Sequence, residues 1–120
     1  MQGTYLPISL NYLDAALAAN HTYRVSFPFP VQLVYVNAAC AASTSFILDI
    51  GTAADTDAWL DGVTVTGAAA TTTGFDRADF VGGEHPHIDA GTEIVISIDY
   101  DGGAGGDAAD VSLTVLFTEG

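Results

Sequence analysis

The stretch Glu84-His85-Pro86-His87-Ile88-Asp89 is the one segment whose residue types and spacing suit a transition metal. In an extended chain, side chains two apart share a face. His85 and His87 would then project together, and imidazole pairs of this kind bind zinc, iron or manganese. Such a site needs further ligands. The next Glu is Glu93, no His follows, and His21 lies far upstream. Pro86 and the nearby Gly82 and Gly83 suit a turn, so two surface histidines in a loop are the simpler reading.

Two acidic stretches offer oxygen ligands instead. One runs from Asp99 to Asp110, where Asp99, Asp101, Asp107 and Asp110 are spaced by glycines and alanines; Asp99 and Asp101 are its metal candidates. The other holds Asp55, Asp57 and Asp61. Calcium wants six to eight oxygens, and the EF-hand spacing with its closing Glu is absent from both. Solvated loops account for them. Trp59 lies in the second acidic stretch and is a ligand candidate, able to stack on a sugar ring, or equally to pack back onto the core. Nucleophilic catalysis has no footing: there is no Gly-x-Ser-x-Gly turn, and Cys40 sits among small residues like a core thiol. Carboxylate pairs are too abundant to single one out for glycoside hydrolysis. The sequence predicts no enzyme and no cofactor.

Composition narrows the partners. The 120 residues carry a formal charge of −13, from fifteen acids against Arg24 and Arg77, with no lysine. Affinity for phosphates needs clustered Lys and Arg, so nucleic acid and anionic membranes are excluded as partners. Nearly half the residues are apolar and regularly spaced, which separates this chain from a disordered acidic tail. The first twenty residues lack a basic start and a continuous apolar run, so no signal peptide is expected.

These loops must be held by strands. Ile94, Ile96, Ile98 and Tyr100 alternate with Val95, Ser97 and Asp99. Val111, Leu113, Val115 and Phe117 alternate with Ser112, Thr114 and Leu116. A period of two marks strands with one buried face, and the pair reads as a closing hairpin. Leu6, Ile8 and Leu10 suggest an opening strand that Pro7 confines to a sheet edge or a partly free arm. Asp14 to Ala19 has the length of one helical turn, and Ala53 to Asp61 could hold another. Tyr23, Val25 and Phe27 lead into Phe27-Pro28-Phe29-Pro30, read as a bend between two strand halves, with the second running to about Asn37. Phe46, Leu48 and Ile50 form a further inward face, and Val63 to Thr66 a short strand after the Asp61-Gly62 turn. Phe75 and Phe80 anchor an irregular region. The expectation is an all-β, antiparallel β-sandwich, jelly-roll-like, of seven or eight short strands. Residues 1–20 would form an N-terminal arm or edge strand and residues 21–120 the β-sandwich domain. Val34, Val36, Ile47, Val95 and Leu116 fall opposite the presumed core faces, where a lone subunit would more often be polar, so they are candidates for a contact surface.

Four stretches stand out together: Tyr23-Arg-Val-Ser-Phe-Pro-Phe-Pro-Val-Gln-Leu-Val-Tyr-Val-Asn37, Ser45-Phe-Ile-Leu-Asp-Ile50, the Ala90-Gly91-Thr92 turn opening an alternating strand, and Ala109 to Glu119. In this order they resemble small jelly-roll proteins of tailed-bacteriophage heads, the capsid decoration or head-cement proteins. The resemblance implies a non-enzymatic virion protein on the outer capsid surface, partnered by the major capsid protein and often a homotrimer. It makes the N-terminal segment the contact arm, with Tyr5, Leu6, Ile8 and Leu10, alongside Val34, Val36, Val95 and Leu116. A carbohydrate- or receptor-binding module of a head fibre or tail shares the same strand pattern. A metal-dependent, cupin-like enzyme using His85 and His87 is a further rival.

Overall fold

The computed structural model describes residues 4–68, 71–103 and 106–120, with the side chains of residues 11–16 left out. Among these, nine strands form: β1 (Tyr5–Ala16), β2 (His21–Val25), β3 (Val31–Ala39), β4 (Ser45–Gly51), β5 (Leu60–Thr66), β6 (Thr73–Phe75), β7 (His87–Ile88), β8 (Ile94–Asp99) and β9 (Ala109–Glu119). Two 3₁₀ turns, Arg77–Asp79 and Val81–Gly83, lie between β6 and β7. No helix among the described residues is long and apolar enough to cross a membrane.

The strands make two antiparallel sheets. Sheet A runs β1-β9-β3-β6, with β7 also on β3; sheet B runs β2-β8-β4-β5. Setting β7 aside, the pairs β1·β9, β2·β8, β3·β6 and β4·β5 are the rungs of one long hairpin folded at its middle. Rolling that hairpin up brings β9 against β3 and β8 against β4. The result is a jelly-roll β-sandwich. From β1 to β4, and again from β7 to β9, successive strands therefore alternate between sheets, which corrects two sequence readings. β8 and β9 are not a hairpin with each other, since β8 lies in sheet B and β9 in sheet A, and Ala108 N–H, just before β9, donates to Tyr100 O at 2.9 Å. Likewise Phe27-Pro28-Phe29-Pro30 is a crossover from sheet B to sheet A, because two prolines withdraw the donors a continuous ladder needs. Nor is there a helical turn at Asp14: β1 continues past a bulge until Ala16 pairs Ala109. Residues 53–59 are turns and bends.

The core lies between the sheets. Phe46, Leu48 and Ile50 of β4 and Ile94, Ile96 and Ile98 of β8 face Leu33 and Val36 of β3 and Val111, Leu113, Val115 and Phe117 of β9, all essentially sealed from solvent. Each such side chain contributes roughly 1.5–3 kcal/mol by leaving water. Phe75, Phe80 and Ile88 close the open edge of sheet A. Phe27 packs against Phe117 with the rings tilted at 59° and centroids 5.3 Å apart, so the proline crossover is packed down as well.

Candidate functional site

The two outer faces of the sandwich differ in chemistry. In sheet A, β1 through Leu13, all of β3 and β6, and β9 from Val111 to Thr118 contain no Asp, Glu, Lys or Arg. The outward positions include Tyr5, Pro7 and Ser9 of β1, Ser112, Thr114, Leu116 and Thr118 of β9, and Tyr35 and Asn37 of β3. Cross-strand pairing lines them up: Tyr5 with Thr118, Pro7 with Leu116, Ser9 with Thr114, and Tyr35 with Leu116. Tyr5 is 66% exposed and Tyr35 41%. Tyr35 lays its phenol over Gly74 of β6, where a Cβ would meet the hydroxyl. Ser9, Asn37, Thr72, Ser112 and Thr114 line a shallow groove of about 120 Å³ on this face. It offers hydroxyls, an amide and small apolar patches, but no ionisable group.

The predicted contact residues divide four ways. Leu116 and Tyr5 are on this outer face. Leu6, Ile8 and Leu10 turn the other way and pack half-buried against the core, opposite Phe117, Val115 and Leu113. Val34 is the extra residue of a β-bulge between the Leu33–Phe117 and Tyr35–Leu116 pairs, and it stays partly exposed. That bulge reverses the side-chain parity of β3. Val36 therefore points into the core with no exposed surface, and the expectation that it lies on an outer face is corrected. Val95 keeps outward parity but is buried as well, at 2% exposure. It pairs with Gly51, where a Cβ would run into the backbone of Asp55, Thr56 and Ala58. The 52–59 loop thus folds over this part of sheet B, leaving neither valine available to a partner.

Sheet B is the acidic face. Asp49 of β4 faces outward and accepts from Gly62 N–H at 2.7 Å, across the bulge where Asp61 and Gly62 oppose it. Carboxylate oxygens of Asp49, Asp57 and Asp61 lie within 4.8 Å of one another. Burial raises the Asp49 pKa, against the stabilising Gly62 bond, and the charges of Asp57, Asp61 and Asp99 push it further up. Asp55 and Asp61 are raised mainly because, protonated, they hydrogen-bond Asp57, and Asp57 is lowered by accepting from both. Sequence reasoning found Asp55, Asp57 and Asp61 but missed Asp49. Its signal was the alternation of Phe46, Leu48 and Ile50, which leaves Asp49 on the same face as the turn. Chemically, this corner repels anions and shares protons; three carboxylates alone fall short of a calcium shell.

The remaining candidates are dispersed. His85 packs edge-on against Phe80, with centroids 6.4 Å apart. His87 stands exposed on β7, with the Gln32 side-chain amide 2.8 Å from its Nε2. That bond engages a ring nitrogen a metal would need, and neither histidine joins a three-ligand group among the described residues. The Asp99 carboxylate lies against Gly102, and Asp101 is exposed beside it. Ala104 and Gly105 of the same loop lie outside the described residues. Trp59 is half-buried against the core, its backbone N–H donating to Ile50 O at 2.9 Å and its backbone carbonyl accepting from Val81 N–H at 3.0 Å.

The sequence matches no protein-family model and no curated protein. Among solved structures, the chain is similar to the protein of a virus-like particle of the giant freshwater prawn Macrobrachium rosenbergii extra small virus. That likeness has a TM-score of 0.47 and 14% identity, covering 98% of this chain and 79% of that one. It is also similar to the coat protein of Tobacco streak virus, with a TM-score of 0.25 and 7% identity over 94% of this chain and 86% of that one.

Proposed function

We propose that this chain is a structural virion protein that docks on the outer surface of a bacteriophage capsid and stabilises the shell, with the major capsid protein as its partner. The observation that carries the reading is the uncharged outer face of sheet A in a chain of net charge −13. A surface meant only for solvent would share the acids evenly. Here Asp49, Asp57 and Asp61 cluster on sheet B, while Tyr5 to Leu13 of β1, all of β3 and β6, and Val111 to Thr118 of β9 carry none, with Asp14, Asp110 and Glu119 only toward the ends of their strands. That leaves one broad face where a partner meets no desolvated charge. The acidic side would then face outward and keep decorated particles apart by repulsion. The same charge opposes a place inside the shell against packaged DNA, whose phosphates attract only basic chains. The strand-and-turn resemblance to head-surface proteins points the same way, and the candidate groups for catalysis are scattered rather than convergent.

The test is sedimentation of the tagged chain with DNA-filled heads. Comigration with heads, and loss of shell resistance to heat or osmotic shock in particles lacking the chain, are the expected results. A chain that stays at the top of the gradient in the presence of heads would overturn the reading.

A further inference from the structure

We infer that two copies of this chain join through the free edge of β1, antiparallel about a two-fold axis at Ser9, so that their two A sheets become one. The inference deepens the docking role and rests on the same uncharged face, but it concerns the free protein.

Among the described residues the sandwich has four sheet edges, and exposed edges invite strand addition unless something blunts them. β5 carries Asp61 and a bulge, with Asp49 and Asp57 beside it, so a second copy there would bring carboxylates face to face. β6 is only three residues long. β2 has five residues and projects Arg24, held toward Glu93 at 3.9 Å. β1 alone is long, at twelve residues, and carries no charge from Tyr5 to Leu13.

The phase of its ladder determines what that edge offers. Glu119 N–H donates to Thr4 O at 3.1 Å, and the register continues from Tyr5 opposite Thr118 to Tyr12 opposite Val111. Backbone groups of an antiparallel strand alternate between its two neighbours. The amides of Leu6, Ile8 and Leu10 therefore bond β9, while those of Tyr5, Ser9 and Asn11 point to the open side. Pro7 falls among the outward positions, where its missing N–H costs no bond to β9.

Centring a two-fold on Ser9 makes this segment its own complement, as a symmetric dimer requires. Ser9 exchanges two bonds with Ser9 of the second copy, and each Asn11 N–H meets a Pro7 carbonyl, about four backbone hydrogen bonds in all. Pro7 removes one donor on each side, which limits the join to a reversible association. Because each chain carries −13, a second copy is tolerated only where the facing segments are neutral, and β1 meets that condition. The union doubles the uncharged surface available to a shell and gives the decorating unit bivalent grip. It closes at two copies; the threefold assembly implied by the resemblance would need another surface.

Sedimentation velocity from about 1 to 100 μM, with amide exchange read by NMR at both ends, tests the inference. The expected result is a species of twice the 12.3 kDa chain mass at the upper end. The Ser9 and Asn11 amides should slow at least tenfold between dilute and concentrated samples, while Leu6, Ile8 and Leu10 stay protected in both. Ser9→Pro, which removes only an outward donor, should hold the chain at 12.3 kDa throughout. Thr64→Lys, exposed on the outer face of sheet B and away from β1, should leave the dimer intact. A monomer at the upper concentration with freely exchanging Ser9 overturns the inference without a variant. A monomer whose Ser9 amide becomes protected only on heads overturns it too, assigning the edge to an extended segment of the shell protein while the docking role stands. A dimer that ignores heads keeps this inference and sinks the docking role.

Discussion

Tyr35 stands directly opposite Leu116 across the β3–β9 ladder, one step beyond the bulge at Val34. That pairing organises the outer face of sheet A. It turns Tyr35 out over Gly74 and, by the parity of the pleat, turns Val36 into the core opposite Val115. The two neighbours in sequence thus belong to different worlds, one to the candidate docking surface and one to the folding core.

The first prediction follows from that parity. Val36→Ala should destabilise the chain by about 2 kcal/mol, since a fully buried valine loses apolar contacts and leaves a void. Leu116→Ser, on the outer face, should cost under about 1 kcal/mol. Urea unfolding of the two variants decides the matter: a larger loss at Leu116 would mean that β3 carries no bulge.

Much of the architecture was legible in the residues themselves. The period of two in β8 and β9 identified their inward residues, and Pro7 confined β1 to an edge. The sheet assignment was not legible, because alternation names a strand's buried face without naming its neighbour. The bulge was invisible for a related reason. One extra residue in Val31–Ala39 flips every later side chain, yet Val, Tyr and Val suit either face. Val95 reads as an exposed valine until Gly51 admits the 52–59 loop over it. The acidic corner was half legible: Asp55, Asp57 and Asp61 are close in sequence, but Asp49 joins them only through strand pairing. The uncharged face emerges only when β1, β3, β6 and β9 are known to lie side by side.

Gly51 should tolerate no side chain. A Cβ there is directed at main-chain atoms of Asp55, Thr56 and Ala58, which have no flexible end to move aside. Gly51→Ala should cost about 1–3 kcal/mol, in the range of forced overpacking. The sole tryptophan reports the cause: Trp59 is anchored at Ile50 by the same loop, so its emission should shift to the red as the loop lifts.

The acidic corner makes stability depend on pH with a definite sign. Asp49, Asp55 and Asp61 bind protons more tightly folded than unfolded. Their stabilising effect is present when they are protonated and fades as pH rises through their raised folded values. Asp57, held low by its neighbours, acts oppositely and loses its contribution only at still lower pH. Thermal unfolding should therefore show a midpoint that rises as the pH is lowered from 7 into the carboxylate range. Asp61→Asn should raise the pH 7 midpoint and flatten the slope. An unchanged slope would mean that the carboxylates do not sense one another.

Docking through sheet A can be separated from mere surface charge. Leu116→Asp places a carboxylate at the centre of the uncharged face, on a half-exposed position that the fold does not need. Desolvating that charge against a partner costs several kcal/mol unless it finds a cation, so affinity for heads should fall at least about tenfold. Thr64→Asp adds the same charge to the exposed outer face of sheet B, which already bears Asp49 and Asp61. Its binding should match the parent chain. Both variants should unfold within about 1 kcal/mol of the parent, because neither side chain enters the core. Cosedimentation with purified heads over a titration of each variant measures the difference directly. Equal loss in both would trace binding to net charge, whereas loss at Leu116 alone places the contact on the face formed by β1, β9, β3 and β6.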